Sequence, residues 1–125
     1  MKYMIQIFTT AATAELELLT ESAQQSVFAE YAALSLTPGV LDGHQLQPGA
    51  VAKTVRVQEA GVVTTDGPFI DPQEPLGGYY LFEADHLDAA IEFASRIPAA
   101  RMRGAVEIRP IVERASPGKS TGSKL

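Results

Sequence analysis

The chain has 125 residues, a formal charge of −5 and a pI near 4.9, with 46% hydrophobic and 20% charged residues. This length and composition are typical of one soluble, globular domain and exclude a disordered chain. The absence of cysteine excludes disulfides and thiolate chemistry. The acidic balance argues against a nucleic-acid partner, and no apolar run approaches the roughly 20 residues that cross a bilayer, so we expect a cytoplasmic protein.

The first third of the chain predicts a strand and a helix. Residues Tyr3–Phe8 are apolar and rich in β-formers. Ser22–Gln25 (SAQQ) matches a capping box, in which Ser and Gln side chains satisfy exposed backbone N–H groups. Apolar residues then recur at helical spacing and predict one buried face before the helix ends at Thr37–Gly39. These residues are Ala23, Val27, Tyr31 and Leu34.

The middle of the chain predicts a connection, a hairpin and a strand. Residues 40–49 are rich in turn formers and read as a turn-rich connection. Val51–Gln58 and Val62–Asp66 flank the short loop Glu59–Gly61 and predict a β-hairpin. Gly78–Glu83 is rich in aromatic residues and predicts another strand.

The last third predicts a second helix and a final strand. Asp85 is the expected N-cap, and Pro98 the expected end of the helix. The expected buried stripe of this helix consists of Leu87, Ile91, Ala94 and Ile97. Ala105–Val112 predicts the last strand. Residues 114–125 are small, polar and basic, so we expect one domain over residues 1–113 followed by a disordered tail.

The order of elements, β–α–ββ–β–α–β, predicts an α+β fold. We expect a ferredoxin-like sandwich with an added β-hairpin, in which two helices cover one face of a mainly antiparallel sheet. The first strand has apolar residues on both sides, since Met4 and Phe8 alternate with Ile5 and Ile7. A second copy of the chain is the simplest cover for the open face, so we expect a homodimer.

Several short stretches occur in order along residues 1–113. They are Met1–Met4 (MKYM), Asp66–Phe69 (DGPF), Gly77–Tyr80 (GGYY), the helix Asp85–Pro98 and Val106–Pro110 (VEIRP). With them the sequence resembles the YCII-related family, and more narrowly its branch named after the Asp-Gly-Pro-Phe motif. The resemblance implies a ferredoxin-like fold assembled as a dimeric α/β barrel, and no settled reaction. The wider superfamily includes small-molecule enzymes, among them muconolactone isomerase-like and dehydrochlorinase proteins.

One departure from the family affects the expected chemistry. Some YCII-type proteins carry a histidine on the first helix that is proposed to act with an aspartate. Glu15–Leu36 contains no histidine, so this dyad cannot be carried over. The two histidines of the chain, His44 and His86, are predicted in a loop and at a helix start.

Asp66 is the first candidate for a functional residue. Asp-Gly is a turn dipeptide whose Asp side chain bonds nearby backbone, so the motif can be explained as a shaped loop. Alternatively, Asp66 lies at a strand end and faces a cleft as a general base or as an anchor for substrate.

Arg56 and Arg109 are candidates for binding an anionic group. Arg109 shares a strand face with Glu107, and Arg56 lies on another strand, so the two guanidinium groups could hold a carboxylate if their faces coincide. Alternatively, both arginines form exposed ion pairs with Glu107 or Glu59, which contribute little stability.

Two tyrosines and His44 complete the candidate set. Tyr79 and Tyr80 point to opposite strand faces, so one should pack under a helix while the other lines the open face. His44 could carry a proton, because imidazole titrates near neutrality, or it could simply be solvated. Neither histidine belongs to a ligand set, so no metal site is predicted, and no cofactor motif is visible.

Two functions, one of them enzymatic, and a purely structural dimer remain open at this point. In the first, a homodimer binds a small organic molecule in a barrel cleft, with isomerase- or lyase-like proton transfer. Its catalytic residues would be Asp66 and His44, and its substrate-binding residues Arg56, Arg109, Tyr79 and Tyr80. The alternative is a non-catalytic regulatory or partner-binding module. Relatives of this branch are often encoded beside extracytoplasmic-function sigma factors, so this module could belong to that signalling.

Overall fold

The computed structural model describes residues 1–70 and 76–113. The predicted tail and residues 71–75 of the loop before Gly77 lie outside the described residues. The described elements are β1 (Lys2–Phe8), α1 (Thr10–Glu17), α2 (Glu21–Ser35), β2 (Val40–Gln45), β3 (Lys53–Gln58), β4 (Gly61–Asp66), β5 (Leu76–Glu83), α3 (Leu87–Ser95), α4 (Pro98–Arg101) and β6 (Ala105–Pro110). None of these helices is long and apolar enough to cross a membrane.

Four strands form one antiparallel sheet in the order β2–β5–β1–β6. Helices α1 and α2 connect β1 to β2, and α3 and α4 connect β5 to β6. This strand order with two helical connections is ferredoxin-like, which confirms the predicted α+β fold. The added hairpin is also confirmed: β3 and β4 pair only with each other and form a separate two-stranded sheet.

The helices cover one face of the sheet, and the core lies on this side. Alternate residues of β1 and β5 point to it and are buried: Tyr3, Ile5, Ile7, Tyr80 and Phe82. Phe93 of α3 stacks on Phe82, with ring centroids 4.5 Å apart, and meets the Tyr80 ring edge-on at 5.4 Å. Such aromatic pairs stabilise by roughly 0.5–1.5 kcal/mol beyond their burial, so this cluster fixes α3 on the sheet.

The opposite face of the sheet is uncovered within one chain. Here Met4, Gln6 and Phe8 of β1 lie beside Tyr79 and Leu81 of β5, and all five are only partly buried. The expectation that both faces of the sheet carry apolar side chains is therefore confirmed. The homodimer itself stays a prediction.

The prediction of a turn-rich connection over residues 40–49 was wrong for Val40–Gln45, where β2 forms. Asp42 and Gly43 have low strand propensity, but β2 is an edge strand that needs only one partner, and its register shifts between Val40 and Asp42. Glycine fits at position 43 because a Cβ would lie 2.6 Å from the Tyr80 ring. His44 is consequently a strand residue rather than a loop residue.

Two helix starts also differ from the predictions. The N-cap of α2 is Thr20, whose side chain accepts a hydrogen bond from the Ala23 N–H at 3.1 Å, so Ser22 already lies inside the helix. The N-cap of α3 is His86 rather than Asp85, and its side chain makes no capping hydrogen bond.

The buried stripe of α3 is shifted from the predicted one. Leu87 and Ile91 are each 48% exposed, while Ala94 and Ile97 are buried as expected. Ala90 and Phe93 complete the buried side. For α2 the prediction is confirmed at Val27 and Leu34, with Ala23 and Tyr31 partly buried.

Candidate functional site

A cavity of about 500 Å³ lies between the first two helices and the β2–β5 side of the sheet. Its helical wall includes Ala12, Val27, Tyr31 and Ala32, and its sheet wall includes Tyr80 and the glycines of β2 and β5. Ligand pockets are typically about 300–1,000 Å³ and mostly apolar, so this space suits a small organic molecule.

Three hydroxyl-bearing side chains give the cavity its polar end. Tyr80 Oη donates to the Tyr31 carbonyl oxygen at 3.2 Å, and Ser35 Oγ donates to the same oxygen at 3.2 Å. The Tyr31 hydroxyl oxygen lies against the backbone of Ala99, whose hydrogen bond lowers the pKa of the phenol and is therefore one that the oxygen accepts. The donor capacity of Tyr80 and Ser35 is thus used by the main chain, while their oxygens retain lone pairs that can accept a hydrogen bond.

Burial makes both tyrosines harder to ionise. Desolvation raises the pKa of Tyr80, and a hydrogen bond with Ser35 lowers it by less. Desolvation also raises the pKa of Tyr31, with the Ala99 backbone hydrogen bond opposing it. Both phenols therefore remain protonated at neutral pH, and the site offers hydroxyl oxygens rather than phenolate charge.

The glycines of β5 allow the sheet wall of the cavity to approach Thr9, the residue before α1. Gly77 lies directly against the Thr9 side chain, which a Cβ at position 77 would overlap. The Gly-Gly pair before the tyrosines therefore permits close approach. Thr9 itself lines the cavity.

Tyr80 is the one sequence-predicted site residue whose side chain lies in the core beside the cavity. His44 and Tyr79 also border the cavity. They pair with each other across β2 and β5, and alternation places both side chains on the uncovered face, with ring centroids 5.8 Å apart. One tyrosine therefore packs under the helices and the other faces the open side, as predicted.

A polar pair that the sequence analysis missed accompanies His44. His44 Nε2 lies 3.1 Å from Asp42 Oδ1, and the same oxygen accepts the Gly43 N–H at 2.9 Å. Two residues apart on a strand, Asp42 and His44 share a face. This spacing was visible in the sequence, but the stretch was interpreted as a turn.

Arg109 lies on the same uncovered face, at the other edge of the sheet. It pairs with Met4 across β1 and donates to Glu107 Oε1 at 2.7 Å. Strands are about 4.8 Å apart, and β5 and β1 separate β2 from β6. The strand spacing alone thus separates the backbones of His44 and Arg109 by roughly 14 Å across the sheet, too far to share a small ligand.

The remaining two candidates, Asp66 and Arg56, lie on the hairpin. Asp66 is highly exposed and forms an ion pair with Lys53. The Arg56 guanidinium lies over the Phe69 ring, 4.8 Å from its centroid. Neither residue lines the cavity. Arg56 and Arg109 belong to different sheets, and the shared anion site considered above stays a prediction.

Possible metal ligands are also scattered. Across residues 1–70 and 76–113, His, Asp and Glu side chains form no group of three that could hold a metal ion. The ionisable side chains of this part of the chain instead form pairs, such as Arg101 with Glu30 and Arg96 with Glu92.

The fold and the sequence comparisons agree on a family. The model of the YCII-related domain matches residues 1–115, so the chain belongs to the YCII-related family. An uncharacterised protein of Rhizobium meliloti (strain 1021) is 35% identical over 68 residues, which is 54% of this chain. The match spans about half of that relative, 55% of its length. The narrower Asp-Gly-Pro-Phe branch rests on the motif at Asp66–Phe69.

One solved structure is similar in outline. It is the 5-chloro-2-hydroxyhydroquinone dehydrochlorinase of Burkholderia phenoliruptrix, in complex with 2,5-dihydroxybenzoquinone. The TM-score is 0.48 at 13% identity, with 91% of this chain and 96% of that chain covered. The fold assignment rests instead on the strand order and the family match.

Proposed function

We propose that the protein binds a small, uncharged organic molecule that carries a hydroxyl group, in the cavity between α1, α2 and the sheet. The observation that carries this proposal is the lining of the cavity. Among the described residues that form it, there is no Asp, Glu, Lys or Arg. A charged ligand would lose its hydration there without an opposite charge to pair with.

The polar end of the cavity favours a ligand that donates a hydrogen bond. The hydroxyls of Ser35 and Tyr80 already donate to the Tyr31 carbonyl oxygen, so the lone pairs of their oxygens are what remains for a ligand. A phenol or alcohol satisfies such an acceptor and places its ring or chain against the apolar walls. A methyl ether of the same compound cannot donate and should bind more weakly.

The experiment is a thermal-shift series with matched phenols and their methyl ethers, alongside small carboxylates. Ala32→Phe should fill the cavity and abolish the shift, because Ala32 lines it. Ala29→Phe is the matched control, since Ala29 is exposed on the same helix and does not line the cavity. Stabilisation by phenols that survives Ala29→Phe but not Ala32→Phe supports the proposal. Equal shifts in both variants would contradict it.

A catalytic role is the second candidate, and the Asp42–His44 pair favours it. Asp42, held by the Gly43 N–H, orients the imidazole and leaves Nδ1 to accept a proton. In this version, isomerase- or lyase-like proton transfer takes place on the uncovered sheet face, with Tyr79 as its neighbour. Turnover that is lost in His44→Gln and weakened in Asp42→Asn would support it. A ligand that binds without any turnover would favour a sensor or regulatory module instead.

A further inference from the structure

The hydroxyls around Tyr80 are only part of the polar lining of the cavity. Thr9, Thr13 and Gln45 line it as well. Thr9 is the residue before α1 and Thr13 lies four residues further on, so the two side chains lie on the same side of the helix. We name Thr9, Thr13 and Gln45 the second polar end of the cavity, and all three side chains are uncharged.

The register of β2 on β5 places the Gln45 side chain. Gly43 pairs with Tyr80, and Gln45 pairs with Gly78. Residues two apart on a strand share a face, so Gln45 lies on the helix side of the sheet together with the Tyr80 ring. His44, between Gly43 and Gln45, points to the uncovered face. The amide of Gln45 is therefore directed towards the cavity, whereas the imidazole of His44 is not.

Glycines keep the sheet wall beside Gln45 free of side chains. Its cross-strand partner is Gly78, where a Cβ would lie 2.9 Å from the His44 carbonyl oxygen. The preceding residue, Gly77, lies against the Thr9 side chain. The wall between Gln45 and the Tyr80 ring is therefore backbone alone, and it offers a flat surface to a ring or chain of the ligand.

The exposure of the lining residues shows where the cavity opens. Val27, Tyr80 and Met102 are buried and form its inner part. Gln45 and Phe28 also line it but are exposed, so they lie at its mouth. A ligand whose hydroxyl reaches Tyr80 thus has its opposite end beside Gln45.

We propose that Gln45 determines specificity by binding a second, uncharged polar group at the end of the ligand that lies opposite its hydroxyl. This inference rests on the proposed function, because it concerns the ligand of the same cavity. Tyr80 and Gly78 are two positions apart on β5, or about 7 Å. This separation suits one six-membered ring with a polar substituent at each end, and the ligand class is therefore a para-substituted phenol.

The chemistry of the second polar end selects the substituent. The Gln45 amide offers both donors and an acceptor, and the hydroxyls of Thr9 and Thr13 can do the same. A carboxamide or a hydroxymethyl group matches them. None of the described lining residues is a lysine or arginine that would pair with a carboxylate. An alkyl substituent would displace water from these groups without replacing its hydrogen bonds, which costs affinity.

The test compares two phenols that have the same hydroxyl end and a similar size, 4-hydroxybenzamide and 4-ethylphenol. Isothermal titration gives the ratio of their dissociation constants for each protein. Gln45→Leu should shift this ratio about fivefold towards 4-ethylphenol, because one hydrogen-bonding partner of the amide is lost. Gln47→Leu is the matched control, since Gln47 is exposed in the same segment and is not part of the described lining. It should leave the ratio at its wild-type value.

Thr9→Val provides a second variant for the same end of the cavity. It removes the hydroxyl and keeps a branched side chain against Gly77. The ratio should shift in the same direction as in Gln45→Leu and by about twofold, since one weaker hydrogen bond is lost. A shift towards 4-hydroxybenzamide would contradict the proposal.

Nuclear magnetic resonance tests the contact itself. The side-chain NH₂ signals of Gln45 are assigned by their absence in Gln45→Leu. They should move more on addition of 4-hydroxybenzamide than on addition of 4-ethylphenol. Equal movements with the two compounds would show that Gln45 does not bind the substituent and would overturn the proposal.

The outcomes separate this inference from the function on which it rests. If both phenols bind the wild type and Ala32→Phe abolishes their binding, the proposed function holds. An equal ratio in Gln45→Leu and Gln47→Leu would then overturn the role of Gln45 alone. If neither phenol binds the wild type, or if both still bind Ala32→Phe, the cavity is not the site and both proposals are overturned.

Discussion

The four-stranded sheet and the hairpin are built from similar residues but end in opposite environments. In the sheet, Tyr3 and Ile5 are 0% exposed under the helices, whereas on the hairpin Val57 and Val62 are 78% and 68% exposed. Both regions are strands because β-branched and aromatic residues favour extended backbone. Local sequence thus decides that a strand forms. Whether the side chains of that strand are buried depends on the surfaces that the rest of the protein packs against it.

The largest difference between the two regions should appear on truncation of their apolar side chains. Phe93→Ala removes a fully buried ring that stacks on Phe82, and such truncations cost about 3–5 kcal/mol. Val57→Ala should change the free energy of unfolding of the monomer by less than about 0.5 kcal/mol. Urea unfolding at low protein concentration measures both. Similar losses would mean that the hairpin already belongs to the monomer core.

Alkaline pH should destabilise the folded protein through Tyr31 and Tyr80. Burial raises the pKa values of Tyr31 and Tyr80 in the folded protein above the value of 10.0 for a solvated phenol. The unfolded chain therefore releases these protons first, and the stability they contribute is present below pH 10 and decreases above it. Tyr80→Phe should make this decrease smaller. Urea unfolding at pH 8 and above pH 10 tests the prediction, and an equal decrease in both proteins would contradict it.

The N-cap of α2 provides a smaller, local test of stability in the part of the fold where helices pack on the four-stranded sheet. Thr20→Ala should cost about 1 kcal/mol, because it removes the acceptor of the Ala23 N–H. Ser22→Ala, at the position predicted from the capping-box pattern, should change stability by less than about 0.5 kcal/mol. Chemical denaturation of the two variants side by side would decide between the two cap positions.

The smallest effect is expected at Asp66. Asp66→Asn should alter the free energy of unfolding of the monomer by less than about 0.5 kcal/mol, since its ion pair with Lys53 is exposed. Binding of a phenol in the cavity should not change, because Asp66 is not part of the lining. Isothermal titration of wild type and variant measures this directly. A variant that no longer binds the phenol would move the ligand site to the hairpin.

Most of the fold could be predicted from the sequence because its long elements have clear local signals. The β-formers of Tyr3–Phe8 indicate a strand, and the helical spacing in α2 indicates one buried helix face. Strand β2 could not be predicted in this way, since its Asp-Gly pair favours a turn. It forms because β5 offers a free edge and the Tyr80 ring leaves room only for glycine at position 43.

The candidate site was less predictable, because it depends on contacts between distant segments. Tyr80 was expected to bind a ligand, and it does border the cavity. Tyr31 was expected only in the buried face of a helix, and its role as hydrogen-bond acceptor for Tyr80 appears only when α2 packs on β5. Asp66, in the motif Asp66–Phe69, was the first functional candidate because it ends a predicted strand. The structure places this motif at the base of the hairpin, and Asp66 does not line the cavity.

Hydrogen–deuterium exchange tests the contrast between sheet and hairpin most directly. The amides of β1 and β5 bond within the four-stranded sheet that carries the core, so they should exchange only through global unfolding. The strands β3 and β4 pair with each other in a separate two-stranded sheet, so their amides should exchange faster, through local opening of the hairpin. Hairpin protection equal to that of β1 and β5 would contradict the account.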